Sequence, residues 1–207
     1  MIYFAIIAGV IILAIFILVW LRKLQFDQVH RNFLDLVDHF GGKVVRGGFA
    51  VRPRYGGIYK DFKLAISISS EQKSKEHERR FYISVFLQSP AGINYTVLSK
   101  KWMEWRENDS KHKRITQDIP STDYLVEVAD ENILPKLDFN GIGKIVKRID
   151  PFAYALVSRR GVILERLSGD LIRDTEFAKL NPLIEGVYEL TAISEKSSSP
   201  QESGSEV

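Results

Sequence analysis

The chain contains 207 residues, with 29 basic and 26 acidic side chains, a formal net charge of +3 and no cysteine. A surface of such mixed charge is not that of a polycation, so nothing in the charge balance indicates a nucleic-acid partner. The lack of cysteine excludes disulfides, thiolate metal sites and cysteine nucleophiles.

Residues 1–21 carry no charged side chain. At about 1.5 Å of rise per residue, this segment is roughly 30 Å long as a helix, which matches the hydrocarbon core of a bilayer. Tyr3 and Trp20 stand near its two ends, where aromatic rings favour the headgroup level. A secretory signal peptide is the alternative, but no basic residue precedes the apolar run and bulky side chains occupy positions 19–21. We therefore predict an uncleaved transmembrane anchor.

The charges beside this segment predict its orientation. Arg22 and Lys23 follow it directly and Arg31 lies close behind, whereas the N-terminal side offers only the α-amino group. Because basic residues favour the inner side of a membrane, we expect a single-pass protein of the cell membrane, with its N-terminus outside and its C-terminal domain in the cytoplasm. The predicted anchors at the membrane interface are Tyr3, Trp20, Arg22 and Lys23.

Residues 22–42 are predicted to form an amphipathic connecting helix. Its apolar residues recur at helical spacing and are Phe26, Val29, Phe33, Leu34, Val37 and Phe40. Aspartates lie between them, and an anionic leaflet would repel that polar face, so we expect the apolar stripe to pack on the domain core. Gly41-Gly42 predicts the end of the helix. The sequence leaves open whether anchor and helix form one rod or bend at the interface.

Residues 43–193 are predicted to form one α+β domain, with an antiparallel sheet and about three helices. Segments with strand character lie at 43–51, 62–68, 81–87, 93–98, 115–128, 152–157 and 162–167. The composition of 52–57 predicts a turn, and that of 71–79 a charged loop. Residues 89–92 and 158–161 have the composition of hairpin connections.

Helical spacing of apolar residues returns at 134–149 and at 175–191. Pro182 should kink or delay the second of these helices. Residues 194–207 are rich in Ser, Glu and Gly and are predicted to form a disordered tail.

The sequence contains no recognisable constellation of reactive residues. The four histidines do not stand at metal-ligand spacings. Residues 140–144 fail as a phosphate loop, because Asp138 and Ile145 occupy positions where that loop requires a Gly and a Ser or Thr. No motif of a serine nucleophile occurs. We therefore predict no catalytic, cofactor or metal site.

Two regions combine basic with aromatic side chains. The first contains Arg46, Arg52, Arg54, Tyr55 and Lys60, and the second contains Lys100, Lys101, Trp102, Trp105, Arg106, Lys111, Lys113 and Arg114. A solvated loop, contact with anionic lipid headgroups and contact with nucleic acid are alternative interpretations, and interspersed carboxylates in the second region disfavour nucleic acid. The residues predicted to contact lipid or a partner are Lys100, Lys101, Trp102, Trp105, Arg106, Arg52, Arg54 and Tyr55.

The layout resembles a class of uncharacterised bacterial proteins with one N-terminal span and a compact α+β domain. The motifs that carry this resemblance are 33–37 leading into 40–44, Tyr55-Gly56-Gly57 before a strand, 122–128 before the middle helix and 160–164 after it. They cover most of residues 24–192 and consist of hydrophobic patterns and glycines. The resemblance therefore implies a fold and supplies no catalytic residues.

Three hypotheses for function follow. The first is a non-catalytic, membrane-anchored protein that binds a protein partner as an accessory or assembly subunit of a membrane complex. The second is a peripheral domain that contacts anionic lipid. The third is an enzyme whose site has no recognisable motif.

Overall fold

The first helix, α1 (Ile2–Phe40), continues without a break through both segments that the sequence distinguishes. The structure is a computed structural model, and it describes residues 2–49, 51–72, 79–105 and 115–196. The segments predicted as anchor and connecting helix therefore form one rod, about 58 Å long at the usual rise per residue. Helix α1 ends where the glycine pair predicts, at Phe40, and the amide of Gly41 caps it by donating to the carbonyl of Val37 at 2.8 Å.

The second half of α1 packs on the domain, as predicted. Phe26, Val29, Phe33 and Leu36 are fully buried in the hydrophobic core. The predicted stripe was wrong at Leu34, which is 43% exposed. Leu36 takes its place, because it stands three residues after Phe33 and so shares the buried face.

Nine strands follow within the described ranges and form a single sheet in which all neighbours are antiparallel. The strands are β1 (Lys43–Val45), β2 (Arg54–Tyr59), β3 (Phe62–Gln72), β4 (Arg79–Leu87), β5 (Tyr95–Ser99), β6 (Ile115–Asp118), β7 (Tyr124–Val128), β8 (Tyr154–Ser158) and β9 (Gly161–Ser168). Their order across the sheet is β1-β2-β3-β4-β9-β8-β5-β7-β6. The predicted α+β class and antiparallel pairing are confirmed.

One of the two predicted hairpins is confirmed and the other is wrong. Strands β8 and β9 pair through a tight turn, with Ser158 opposite Gly161. Strands β4 and β5, on either side of 89–92, do not pair with each other. The reason is that the β8–β9 hairpin inserts between them, so that β4 pairs with β9 and β5 with β8.

The turn predicted at 52–57 is also wrong, since most of that segment belongs to β2. The chain reverses instead at Lys60 and Asp61, whose φ angles of 46° and 70° are those of a tight hairpin turn. Gly57 serves a different purpose, which is to let the end of α1 approach β2, since a Cβ on it would lie 3.1 Å from the carbonyl oxygen of Gly41.

The remaining helices are α2 (Lys100–Trp105), α3 (Phe139–Ile149), α4 (Leu171–Asp174) and α5 (Phe177–Lys196), with a 3-10 helix at Glu131–Lys136. The single helix predicted at 134–149 is divided, because Asp138 caps a new helix by accepting from the amide of Gly141. Pro182 lies inside α5 without ending it. Helix α5 extends to Lys196, and residues 197–207 of the predicted tail lie outside the described residues.

The core lies between the helices and one face of the sheet. Helix α5 crosses β4, β8 and β9, α3 packs on α5, and the second half of α1 covers β1 and β2. Tyr95 links sheet and helix by donating from its buried hydroxyl to the carbonyl of Leu190 at 3.1 Å. In the part of the chain that the structure describes, the opposite face of the sheet carries only α2, whose Trp102 lies beside Tyr154.

Gly42 and Gly57 determine how closely α1 approaches the sheet. Gly42 has a φ of 90°, and a Cβ on it would lie 2.6 Å from the Cα of Gly57. Tyr55, which is 1% exposed, donates from its hydroxyl to the carbonyl of Gly41 at 2.9 Å. Backbone contact and the hydrogen bond from the buried Tyr55 therefore fix the end of α1 on β2.

Substituting Gly42→Ala should lower the free energy of unfolding by more than about 2 kcal/mol, because the new methyl group meets backbone and the φ angle is unfavourable. Gly56→Ala is the matched control, since a Cβ there meets nothing within 4 Å, and its effect should stay within about 0.5 kcal/mol. Denaturant unfolding of the full chain in detergent measures both. Equal effects would show that α1 and β2 do not approach as described.

Candidate functional site

The predicted contact residues Arg52 and Arg54 lie in the same place as the predicted interface anchor Arg22. These three arginines line one cavity of about 500 Å³, together with Val45, Gly47, Val51 and Ile68. Its position follows from the fold, since Arg22 belongs to the exposed half of α1 and the other residues to β1–β3 and their connections. We call the surface formed by Trp20, Arg22, Lys23, Val45, Phe49, Val51, Arg52 and Arg54 the basal surface.

Arg46 holds the loop between β1 and β2 against α1. Its guanidinium donates to the carboxylate of Asp27, to the carbonyl of Phe49 at 2.6 Å and to the carbonyl of Val51 at 3.1 Å. A planar guanidinium suits such divergent bonding, because its donors form a rigid fork. The loop is therefore attached to the helix at the point where the exposed apolar half of α1 ends.

Lys23 connects the same loop to the aromatic end of the apolar segment. Its ammonium lies 5.5 Å from the ring centre of Trp20 and 5.4 Å from that of Phe49, both within cation–π range. It also pairs with Asp27 at 2.7 Å. These contacts orient Phe49, which remains 56% exposed.

The guanidinium of Arg52 is held by the sheet. It donates to the hydroxyl of Ser70 and to the carbonyl of Ile68, and it lies over the ring of Phe81 at 5.6 Å. Arg22 lies over the ring of Phe26 at 5.4 Å. Arg54 stands on β2 with its side chain exposed.

The electrostatics of the cavity favour an anion. The described residues that line it include three arginines and no carboxylate. The nearby carboxylate of Asp27 is engaged by Lys23 and Arg46, and hydrogen bonds from these two, Lys23 first, lower its pKa from 3.8 to about 2. Arginine binds phosphate and carboxylate oxygens bidentately, so the cavity can accept a phosphate group bordered by apolar side chains.

The other predicted contact residues lie elsewhere. Tyr55 is buried and bonded to Gly41, so its ring belongs to the core. Lys100 and Lys101 stand on α2 and pair with Asp118 at 3.0 Å and Asp123 at 3.8 Å.

Two tryptophans and one arginine complete the predicted set. Trp102 packs on Tyr154 with ring centres 5.2 Å apart. Trp105 ends α2, and Arg106 lies outside the described residues. The region around Trp102, for which a solvated loop was one interpretation, begins as a short helix. Tyr3 is 81% exposed and Trp20 46% exposed on α1.

A further cavity of about 500 Å³ lies between β7 and α3, but its central groups satisfy one another. The hydroxyl of Tyr124 lies 2.6 Å from a carboxylate oxygen of Asp150 and accepts from the amide of Phe152 at 3.0 Å. Burial, followed by the bond to Asp150, raises the pKa of Tyr124 above its usual value. This network joins β7 to the end of α3 and is structural.

The sequence did not indicate the central roles of Asp27, Arg46 and Phe49. Asp27 and Arg46 lie 19 residues apart, and no local pattern links them. In the sequence, the position of Phe49 directly after Gly47 and Gly48 was the one sign of an exposed apolar loop. Among the described residues, no three His, Asp or Glu side chains converge closely enough to hold a metal ion.

The comparisons with known proteins give no relatives: no family model, curated protein or solved structure matches this chain. The basal surface therefore has to be interpreted from its own chemistry.

Substituting Asp27→Asn should expose the loop that Arg46 holds. With the carboxylate gone, trypsin should cut the full chain after Arg46 several times faster than in the wild type, because local opening becomes more frequent. Asp35→Asn is the matched control, since Asp35 is exposed on the same helix. Unchanged cleavage after Arg46 would contradict the role given to Asp27.

The difference in stability between the wild type and Asp27→Asn should also depend on pH. A pKa lowered from 3.8 to about 2 means that Asp27 stabilises the fold fully above pH 3.8 and progressively less as the pH falls toward the folded pKa. The difference in melting temperature between wild type and Asp27→Asn should therefore be constant near neutrality and shrink as the pH falls below 3.8. A difference that persists unchanged at pH 2 would contradict this assignment.

Proposed function

We propose that this chain is a non-catalytic, single-pass membrane protein whose domain rests with its basal surface on an anionic bilayer. The observation that carries the proposal is the position of the three-arginine cavity, directly beyond the apolar half of α1. Of the hypotheses drawn from the sequence, lipid contact is the one this geometry favours, with Arg52 and Arg54 as contacts in place of the α2 residues.

A bilayer is the environment that suits the first half of α1. Among the described residues, α1 is the one helix long and apolar enough to cross a membrane, judged by length and composition. The side chains from Ile6 to Arg22 are all exposed and none contributes to the core. An apolar surface of this extent is unfavourable in water and is typical of a membrane-embedded or otherwise covered segment.

The basal surface has the composition of a membrane interface. Phe49 and Val51 are 56% and 47% exposed, and apolar side chains at this depth gain by entering the headgroup region. Each basic residue near an anionic surface adds about 1 kcal/mol of attraction. Because α1 is continuous, the helix itself brings this loop to the end of the span.

The fold also strengthens the charge asymmetry on which the orientation rests. Arg46, Arg52 and Arg54 join Arg22 and Lys23 on the C-terminal side of the apolar segment. This supports a cytoplasmic domain and an outside N-terminus, with the basal surface facing the leaflet that is rich in anionic lipid.

A protein partner remains part of the proposal, because anchoring and lipid contact position the domain without giving it a target. We infer that it acts as an accessory or assembly subunit. Crosslinking and mass spectrometry in native membranes report both partner and sidedness. Recovery of the chain with no crosslinked protein, or with exterior proteins, would contradict this part.

A fluorophore on the basal surface tests the proposal directly. Gly47→Cys introduces the sole cysteine, and a Cβ there meets nothing closer than Val51 at 3.8 Å. In nanodiscs, a polarity-sensitive label at this position should report a drier environment with anionic than with zwitterionic lipid. The double substitution Arg52→Gln and Arg54→Gln should shift the docking equilibrium about 30-fold toward water, as expected for two interfacial charges.

The matched control carries the label at Lys60→Cys, in the turn at the opposite end of β2 and β3. That label should remain aqueous in every lipid. High salt should reduce the signal at position 47, since screening weakens surface attraction. A label at position 47 that responds neither to lipid charge nor to the arginine substitutions would overturn the proposal.

A further inference from the structure

The face of the sheet that lies away from the core helices carries an apolar surface that the proposed function has not used. Helices α1 and α5 pack on the other face, and α3 packs on α5. In the part of the chain that the structure describes, the open face carries only α2. Because apolar side chains of a sheet are normally covered by a second layer, an apolar surface here indicates a partner from outside the domain.

Four apolar side chains form a continuous row across this open face. Ala65 of β3 lies opposite Phe86 of β4, and Ile163 of β9 lies opposite both Phe86 and Leu156 of β8. Their neighbours along each strand are buried on the helix side, so these four side chains point away from the core. Ala65 and Leu156 are exposed, and the other two are half-buried. We call this row the open-face stripe; it is about 14 Å long at the usual strand spacing.

Polar side chains border the stripe on the side nearer the basal surface. Ser67, Ser84 and Glu165 stand two residues away along β3, β4 and β9, and they lie opposite one another. Glu165 accepts a hydrogen bond from the hydroxyl of Ser84 at 3.0 Å. The apolar row is therefore limited on this side by groups that are already hydrogen-bonded.

Basic side chains border the stripe on the opposite side. Lys63 stands at the start of β3, and Arg159 and Arg160 form the turn between β8 and β9. The ring of Phe86 reaches this turn, since a Cβ on Gly161 would lie 3.0 Å from it. The three basic residues are exposed, and no ion pair joins them to a carboxylate among the described residues. We call them the distal rim.

Lys60 lies at the same end of the sheet but is directed to its other face. Its ammonium lies 4.2 Å from the ring centre of Tyr188, which belongs to α5. The cation–π contact holds this charge on the helix side. Lys60 is therefore a natural control for the distal rim, because it matches Lys63 in charge and in position along the sheet.

The composition of this surface favours one class of partner. Single-stranded nucleic acid needs several aromatic rings for stacking, and the stripe contains one, that of Phe86. A second copy anchored in the same bilayer would hold its distal rim at the same height, so a symmetric pair of open faces would set the two basic rims against each other. An acidic amphipathic helix satisfies both features, because its apolar side covers the stripe and its carboxylates pair with the rim.

We propose that the open-face stripe and the distal rim bind an acidic amphipathic helix of a partner protein. The helix lies on the sheet as α5 does on the other face, with its carboxylates toward Lys63, Arg159 and Arg160. This inference rests on the proposed function, since it identifies the surface and the chemistry by which the anchored domain binds its partner. The distal rim lies at the end of the sheet away from the basal surface, so docking on the bilayer leaves it accessible.

Titration of the full chain in anionic nanodiscs with a synthetic helical peptide tests this proposal. The peptide carries Leu on one side and Glu on the other over about four turns, so anionic lipid repels it. Ile58→Cys, at a position 60% exposed and opposite Lys63, places a polarity-sensitive label beside the stripe. The label should report a saturable change to a drier environment, and high salt should weaken binding. A peptide with Gln in place of Glu should bind about tenfold more weakly.

Substitutions in the rim and in the stripe test the two parts of the surface. Lys63→Gln and Arg160→Gln should each weaken binding of the acidic peptide about threefold, and together about tenfold, as expected for exposed ion pairs. Lys60→Gln is the matched control and should change the affinity by less than about twofold. Ala65→Gln should weaken binding about fivefold or more, because a polar amide enters the apolar contact. Ser67→Gln, on the same strand and face, is its control.

The label at position 47 separates this inference from the proposed function. A docked basal surface with no response at position 58 to the acidic peptide would overturn the partner surface alone. A response at position 58 with an undocked basal surface would support the partner surface and contradict the membrane proposal.

Three further results would overturn the inference. One is an equal loss of affinity in Lys63→Gln and Lys60→Gln. Another is a response at position 58 to single-stranded RNA and none to the acidic peptide, which would assign the face to nucleic acid. The third is a label that is already dry without peptide in nanodiscs holding two copies but not in those holding one, which would assign the face to a second copy.

Discussion

The structure depends on one helix that has to suit two environments. The first half of α1 is apolar on every side and contributes nothing to the core, whereas the second half buries Phe26, Val29, Phe33 and Leu36 completely. Because the helix has no break between them, the position of the domain relative to the apolar segment is set by the rod. The close contact of Gly42 with β2 then fixes where the rod ends on the sheet. A helix that only packs in a protein core would not have an exposed apolar half. A helix that serves only as a flexible tether would not have a buried half.

Charge is unevenly distributed over the domain. At the basal surface, the carboxylate of Asp27 pairs with Lys23 and Arg46, and the described lining of the cavity contains three arginines and no carboxylate. On the open face of the sheet, the described lining of another cavity contains Glu71, Glu127 and Glu165 and no basic residue. The small net charge of the chain does not reveal this local distribution. Net charge alone could therefore not predict the ligand class of the basal surface.

Features of the fold that are set by interactions within a few residues could be predicted from the sequence. The stripe along α1, the stop at Gly41 and the β8–β9 hairpin follow from periodicity and turn chemistry within a few residues. The pairing of β4 could not be predicted, because its neighbour β9 comes from much later in the chain. Gly56 and Gly57 indicated a turn, but Gly57 serves a contact with the end of α1 that depends on the tertiary fold. The cavity at the basal surface could not be predicted for the same reason, since it combines Arg22 of α1 with residues of β1–β3 and their connections.

Helix α1 continues without a break from the apolar segment into the domain core, and a distance measurement tests this continuity most directly. Val10 and Leu34 are exposed at 62% and 43% on the two halves of the helix, and the chain has no cysteine to interfere with labelling. Double electron–electron resonance between spin labels at Val10→Cys and Leu34→Cys, in the full chain in anionic nanodiscs, should give a narrow distribution near 36 Å, roughly 1.5 Å for each of the intervening residues. A broad distribution centred well below that distance would show that the helix bends at the interface and would contradict the account.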